Sequence, residues 1–224
     1  MGYNYIRMRK TEFANGEFYH IYNRGVDKRQ IVFDQSDSDR FIKSLIDFNS
    51  LEPIGSIYEH SFEKNLKPKD NNLVNIICYC LNSNHYHLLL EQLADGGIEK
   101  FLHRLGMGYS KYFNNKYKRG GALWQGPFRS VYVGDNDYLL HLSAYINLNP
   151  EAHQLGHSVS KLVRTSWGEY IGKSNEKICQ TKIILEQFQS RKDYRDFAQG
   201  ALELIKDNKL EIRELDSLGH SVSK

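Results

Sequence analysis

Val74-Asn75-Ile76-Ile77-Cys78-Tyr79-Cys80-Leu81-Asn82-Ser83-Asn84-His85-Tyr86-His87-Leu88-Leu89-Leu90-Glu91-Gln92 decides the fold. Val74 to Leu81 is a short, apolar run rich in β-formers, and it reads as a buried strand. Asn82-Ser83-Asn84 is turn chemistry, because asparagine tolerates left-handed backbone and bonds its own main chain. His85 to Gln92 then returns as the second arm of a hairpin. A lone hairpin is marginal in water, so this one needs further strands and a packing layer.

Those partners lie on either side. Upstream, Glu17 to Arg24 alternates and is rich in β-formers, and Gly25 closes it as a strand. Ser36 to Asn49 follows as a helix, with Phe41, Leu45, Ile46 and Phe48 apolar and Asp37 and Asp39 in its first turn. Downstream, Gly96-Gly97 breaks the chain, and Ile98 to Tyr117 carries apolar residues at three- and four-residue steps until Gly120-Gly121 stops the helix. Phe128 to Val133 is a last strand, and Asp135 or Asn136 caps a helix that runs to Asn149 before Pro150. The order β-α-β-β-α-β followed by a helix predicts an α+β, ferredoxin-like antiparallel sheet with two helices on one face. The expected domains are residues 1–152, including the added helix, and a helical C-terminal extension over 153–224. Thr181 to Gln189 and Asp193 to Lys206 are its amphipathic segments. Residues 51–72, with Pro53, Gly55 and Pro68, read as a loop or insertion with a short strand near Ser56 to Phe62. Leu155-Gly156-His157-Ser158-Val159-Ser160-Lys161 recurs as Leu218 to Lys224, and two copies do not make a solenoid.

Composition narrows the class. The 224 residues are 40% hydrophobic, 25% charged and 12% aromatic, which excludes a disordered chain, a collagen or a bare coiled coil. No apolar run is long enough for a membrane span, the basic start precedes no apolar stretch, and Ile6 stands where myristoylation needs Ser or Thr. The expectation is a cytoplasmic, nucleoid-associated protein without membrane contact. Cys78, Cys80 and Cys179 are odd in number and lack zinc spacing, so all three are read as reduced, the first two as small core residues.

Net charge is +3, but it is unevenly placed. Lys100 to Gly134 holds no Asp or Glu, seven basic residues and eight aromatics. A basic stretch interleaved with rings suits a phosphate backbone with unpaired bases, although a solvated helix face over core aromatics gives the same pattern. The candidate nucleic-acid contacts are Arg104, Lys111, Lys116, Lys118, Arg119 and Arg129, with Trp124 or Phe128 for stacking, and Arg24 at the end of the first strand.

The chemistry sits in two motifs. On a strand, His85 and His87 point to one face and Tyr86 to the other, so two imidazoles can meet one divalent ion. On the late helix, Tyr138, His141, Tyr145 and Asn149 are spaced 3, 4 and 4 apart and form one stripe. The plain alternative is that the histidines are satisfied core or surface groups and the tyrosines amphipathic packing. A phenol is a weak nucleophile at neutral pH, and it attacks phosphorus when the phosphate is polarised and the attack is held in line. His85, His87 and the amide oxygen of Asn149 are a donor set for Mg²⁺ or Mn²⁺.

Phe18-Tyr19-His20-Ile21-Tyr22-Asn23-Arg24-Gly25, Leu81 to Leu90, Tyr112-Phe113-Asn114 leading to Gly121-Ala122-Leu123-Trp124-Gln125-Gly126, and Tyr145-Ile146-Asn147-Leu148-Asn149-Pro150 occur in this order. In that series the chain resembles the REP-associated tyrosine transposases, IS200-like members of the HUH superfamily of single-stranded-DNA transposases. The resemblance covers roughly residues 17 to 152. It implies that His85 and His87 are metal ligands, Tyr145 the nucleophile and Asn149 the helix-borne ligand. It also implies single-stranded or hairpin-forming repeat DNA as substrate and a 5′-phosphotyrosine intermediate. Tyr86 replaces the usual aliphatic residue, and Glu151-Ala152-His153 replaces the usual continuation after the proline. Monomer and homodimer both stay open, with the nucleophile's helix serving its own or a partner's site. The rival function is a non-catalytic hairpin DNA- or RNA-binding regulator on the same fold. An RNA-binding module of the four-stranded-sheet class lacks the aromatic-rich central strands it requires.

Overall fold

The computed structural model describes residues 12–52, 71–152 and 162–207. Five strands form one antiparallel sheet: β1 (Phe18–Arg24), β2 (Val74–Leu81), β3 (His85–Gln92), β4 (Arg129–Val133) and β5 (Arg164–Thr165), in the order β4-β1-β3-β2-β5. The first four strands have the ferredoxin-like arrangement, with the hairpin β2–β3 and strand β1 at its centre. The expected α+β class is therefore the observed one. The fifth strand comes from the C-terminal extension, which is thus not purely helical and pairs with β2 at Cys80↔Thr165 and Leu81↔Arg164.

Alternation divides the strands between two cores. Tyr19, Ile21, Tyr79, Leu81, Tyr86, Leu88 and Leu90 face helices α1 (Gln35–Asp47) and α2 (Gly97–Lys116). Ile77, Cys78, Cys80 and Leu89 face α3 (Asn136–Asn147) on the other side. Cys78 and Cys80 are buried and free, as their small-core reading requires. The extension covers α3: Tyr194, Ala198, Ala201 and Leu202 of α7 (Arg191–Asp207) close the second core, with α5 (Trp167–Tyr170) and α6 (Lys182–Leu185) beside it.

Three local expectations change. The β2–β3 turn uses no left-handed asparagine: among described residues other than glycine, only Asp27, Lys28 and Lys118 have positive φ. Its carbonyls do the fixing instead, Ser83 O accepting from Ile31 and Val32 N–H and Asn84 O from Gly25 N–H. Helix α2 ends before Gly120-Gly121. Lys118, at φ 49°, takes the left-handed position, and Arg119 N–H bonds Asn114 O at 2.8 Å as in a Schellman cap. The late helix does not reach Asn149. It stops at Asn147, Leu148 leaves helical geometry at φ −104° and ψ 14°, and Asn149 opens the short helix α4 (Asn149–Ala152). Pro150 does not stop that helix; it lies in the first turn, where its missing N–H costs nothing. The expected strand near Ser56 to Phe62 and both copies of the seven-residue repeat lie outside the described residues.

Candidate active site

Register builds the site. β1 pairs with β3 at Tyr22↔His87 and Arg24↔His85, and with β4 at Tyr22↔Arg129. Paired residues share a face, so Arg129, Tyr22, His87 and Cys80 form one row across the sheet beneath α3, and Arg24 stands opposite His85. Tyr86 points the other way, 4% exposed, with its ring edge-on to Trp124 at 5.4 Å.

Helix α3 delivers Tyr145 to this row. Asp135 caps it, its carboxylate accepting from Tyr138 N–H at 2.8 Å. Leu139, Leu142 and Ile146 pack on the sheet, which turns the Tyr145 ring edge-on to His87 at 5.8 Å. The His85 and His87 rings are 5.1 Å apart and perpendicular. The two expected ligands and the expected nucleophile therefore stand together. The rest of the predicted stripe divides: Tyr138 is half-buried, while His141 is exposed and lies against Phe197 at 5.0 Å, away from the histidines.

Neighbours orient both imidazoles. His85 Nδ1 lies 2.6 Å from Asn84 Oδ1, whose own Nδ2 donates to Lys28 O. Asn84 Oδ1 can only accept, so His85 carries its proton on Nδ1 and a lone pair on Nε2. His87 Nδ1 lies 3.0 Å from His20 Nε2, and the rings stack at 5.2 Å. Burial holds the His20 pKa down at about 4, so the ring is neutral at pH 7. This contact occupies His87 Nδ1 and leaves its Nε2 as the other ring nitrogen, while His20 Nδ1 is a buried atom without a partner. His20, one of two histidines that the sequence offers as supporting or structural groups, lies diagonal to His87 across β1–β3, whereas His141 does not reach the site; Asn84, the chain neighbour of His85, is the contact that the motifs do not single out.

Asn149 is fully buried, and its Oδ1 accepts from Asn82 Nδ2 at 2.7 Å. The same Nδ2 lies 2.8 Å from His85 Nε2. A ring lone pair and an amide lone pair thus converge on one point, which is how ligands meet a hard cation. Asn149 Nδ2 has no partner, which leaves its oxygen as the working end. This donor set fits Mg²⁺ or Mn²⁺. Among the described residues, no group of three or more His, Cys, Asp or Glu side chains is arranged to hold a metal ion, so amide oxygens would have to complete such a site.

The expected DNA track is broken up. Helix α2 lies on the sheet face opposite the histidines. Lys116 is bound by Asp34 and Asp37 at 2.7 Å, acids that the acid-free window hid because they come from the start of α1. Arg104 donates to Ser50 O and Leu51 O, and Arg119 to Asn114 Oδ1 and Ala122 O. These three cations are structural ties. Phe101, Tyr109 and Phe113 are fully buried, and Trp124 and Phe128 pack against the same core, Trp124 Nε1 donating to Gly106 O. Three of the eight aromatics in the window are thus core, and Tyr132 is half exposed. Lys111 and Lys118 are exposed on this far side and in the following loop. Arg24 and Arg129 lie on the histidine face. Arg24 Nε is buried and without a partner.

A ferredoxin-like sheet with a His-x-His pair under a helix-borne tyrosine defines the class. Residues 54–149, a little under half of the chain, match the family model described as "Transposase IS200 like". The matched segment holds both histidines, Tyr145 and Asn149. A solved structure described as the REP-associated tyrosine transposase bound to a REP hairpin is similar over 75% of this chain and 87% of that one, with 14% identity and a TM-score of 0.48. No curated protein matches the chain. Among the described residues, no helix is long and apolar enough to cross a membrane.

Proposed function

We propose that this chain is a DNA strand transferase that cuts and rejoins single-stranded DNA at hairpin-forming repeats through Tyr145. The observation that carries the reading is the Tyr145 ring against His87, with His85 and Asn149 converging beside it. Tyr145 Oη forms the new bond to phosphorus, and the bond from phosphorus to the 3′ oxygen breaks. The phenol loses its proton and the leaving 3′ oxygen gains one. The products are a 5′-phosphotyrosine and a free 3′-hydroxyl. One phosphodiester replaces another, so a second 3′-hydroxyl reverses the step on a new strand without ATP.

His85, His87 and Asn149 would hold Mg²⁺ or Mn²⁺, which supplies charge stabilisation at the phosphate oxygens. Arg24 and Arg129 are the basic residues that share the face with these groups, and they hold the flanking phosphates. Trp167, Tyr170 and Tyr194 clamp α3 from outside and fix the attack angle, which matters because misplacement by about 1 Å costs roughly 100-fold in rate.

Labelled single-stranded hairpin DNA with Mg²⁺ or Mn²⁺ should give a protein–DNA adduct that survives denaturation. Tyr145→Phe should abolish it and leave DNA binding intact. Wild-type protein that binds the hairpin and never forms the adduct is the non-catalytic regulator, and the enzymatic reading falls.

A further inference from the structure

Asn82 ends β2, is 1% exposed, and has no role in the reaction described above. Its amide nitrogen sits where His85 Nε2 and Asn149 Oδ1 converge, at 2.8 and 2.7 Å. Both are acceptors, since Asn84 fixes the His85 proton on Nδ1. The Asn82 N–H groups therefore stand between the two lone-pair donors, at the point where both converge. The other end of the amide is unsatisfied: Asn82 Oδ1 is buried and has no hydrogen-bond partner. A buried amide oxygen without a partner is costly, and turning this amide would carry that oxygen to the point where His85 Nε2 and Asn149 Oδ1 converge.

Resting on the cation site proposed above, we propose that Asn82 is a further protein ligand of that cation. The amide turns about its terminal torsion, withdraws Nδ2, and brings Oδ1 toward His85 Nε2 and Asn149 Oδ1. Three lone-pair donors facing one point repel one another until a divalent ion joins them. The turn thus links occupancy of the site to the amide's orientation. Two imidazoles and two amide oxygens leave open positions of a six-coordinate Mg²⁺ or Mn²⁺ for substrate oxygens and water. Position 82 is fixed for this task by the hairpin: its N–H bonds His85 O at 2.8 Å, so side chains 82 and 85 move as one unit.

Mn²⁺ binding to the full chain, read by electron paramagnetic resonance without DNA, tests this. Asn82→Leu should weaken Mn²⁺ binding at least tenfold, and Asn82→Asp should tighten it at least tenfold. Asn82→Ala, with thermal unfolding as a check on folding, covers a Leu variant that packs badly. If Asn82 only bridges His85 and Asn149, Leu and Ala bind Mn²⁺ as tightly as wild type or tighter, and the proposal is overturned. His85→Ala and His87→Ala separate the two readings. Loss of binding in both, with Asn82→Leu unchanged, removes only the role of Asn82. Wild-type-like binding in both, or no binding by wild type, removes the cation site and Asn82 with it. The Asn82 side-chain amide resonances give an independent readout: Mg²⁺ should shift them and speed their proton exchange as the two hydrogen bonds break, and unshifted signals in a Mg²⁺-bound protein would also overturn the proposal.

Discussion

Lys116→Met separates a structural cation from a DNA contact. Lys116 Nζ bonds both carboxylate oxygens of Asp34 and one of Asp37 at 2.7 Å, and Ser36 Oγ at 2.6 Å. Asp34 is half exposed, so water replaces the lysine there and the loss is about 0–1 kcal/mol. Asp37 is fully buried, and breaking a buried pair commonly costs about 3–5 kcal/mol. Here the carboxylate keeps Phe33 N–H at 2.8 Å, Tyr117 O–H at 2.7 Å and Tyr112 O–H at 3.0 Å. The loss at Asp37 is then one charge-assisted bond, about 1.5–3 kcal/mol, and methionine preserves the packing of the stem. The expected total is about 1.5–4 kcal/mol, seen in urea as a lower midpoint at unchanged slope. The same variant should leave the salt dependence of hairpin-DNA affinity unchanged, because a lysine already neutralised by two carboxylates releases no counterion. Arg24→Gln should reduce that dependence by about 0.7–0.9 in log–log slope. A slope change of that size with Lys116→Met, at wild-type stability, would refute the assignment and return α2 to the DNA path.

Three further outcomes are expected. His20→Phe removes the hydrogen-bond partner of His87 Nδ1 and should slow adduct formation about 10–100-fold while hairpin binding holds; an unchanged rate would mean that His87 is oriented without it. Tyr194→Phe removes the bonds to Ser143 and Asn147, both 3.0 Å and both on the helix of Tyr145, and should cost about 1–3 kcal/mol in unfolding and lower the adduct rate; equal stability would detach the extension from α3. Lys116, and then Ser36, hold the Asp34 carboxyl down at about 2, below its unfolded value, so this interaction is fully present above about pH 4 and fades as pH falls toward 2. Acid unfolding of Lys116→Met should lack that component, and superimposable acid limbs after normalisation would contradict the assignment.

The sheet was legible because its signals are local. Two-residue periodicity in His85 to Gln92 fixed which side chains share a face, and the structure keeps His85 and His87 together with Tyr86 opposite, whereas Val74 to Leu81 carries a register shift between Ile76 and Cys78 that puts Ile77 and Cys78 in the same core. The amphipathic pattern of 136–147 fixed the apolar stripe, and with it the side on which Tyr145 meets the sheet. The charge window missed the partners of Lys116 for a reason of the same kind. A window of sequence contains only its own residues, and the acids that neutralise Lys116 lie about 80 positions earlier, at the start of a helix that packs alongside. Burial misled in the same way: Phe101, Tyr109 and Phe113 follow helical spacing, which predicts an apolar stripe as readily as a stacking surface.

The positioning residues show where the limit lies. His20 reaches His87 because β1 pairs with β3 in one register, and a slip of one residue would put Tyr19 or Ile21 there and turn Tyr22 and Arg24 to the opposite core. The register is enforced by apolar residues on the other face, Tyr19 and Ile21 against Leu88 and Leu90, which take no part in chemistry. The helical core of the ferredoxin-like layer and the row Arg129–Tyr22–His87–Cys80 are two faces of one constraint. A substitution that loosens the first, such as a cavity at Ile21, should disorder the second without touching it. The reverse does not hold, since His20, His85 and Asn82 carry unsatisfied or exchangeable polar atoms that contribute little to holding the strands in place. Both faces of the sheet carry a core, and Arg24 and Arg129 are the expected DNA-contact cations that the register brings to the α3 side.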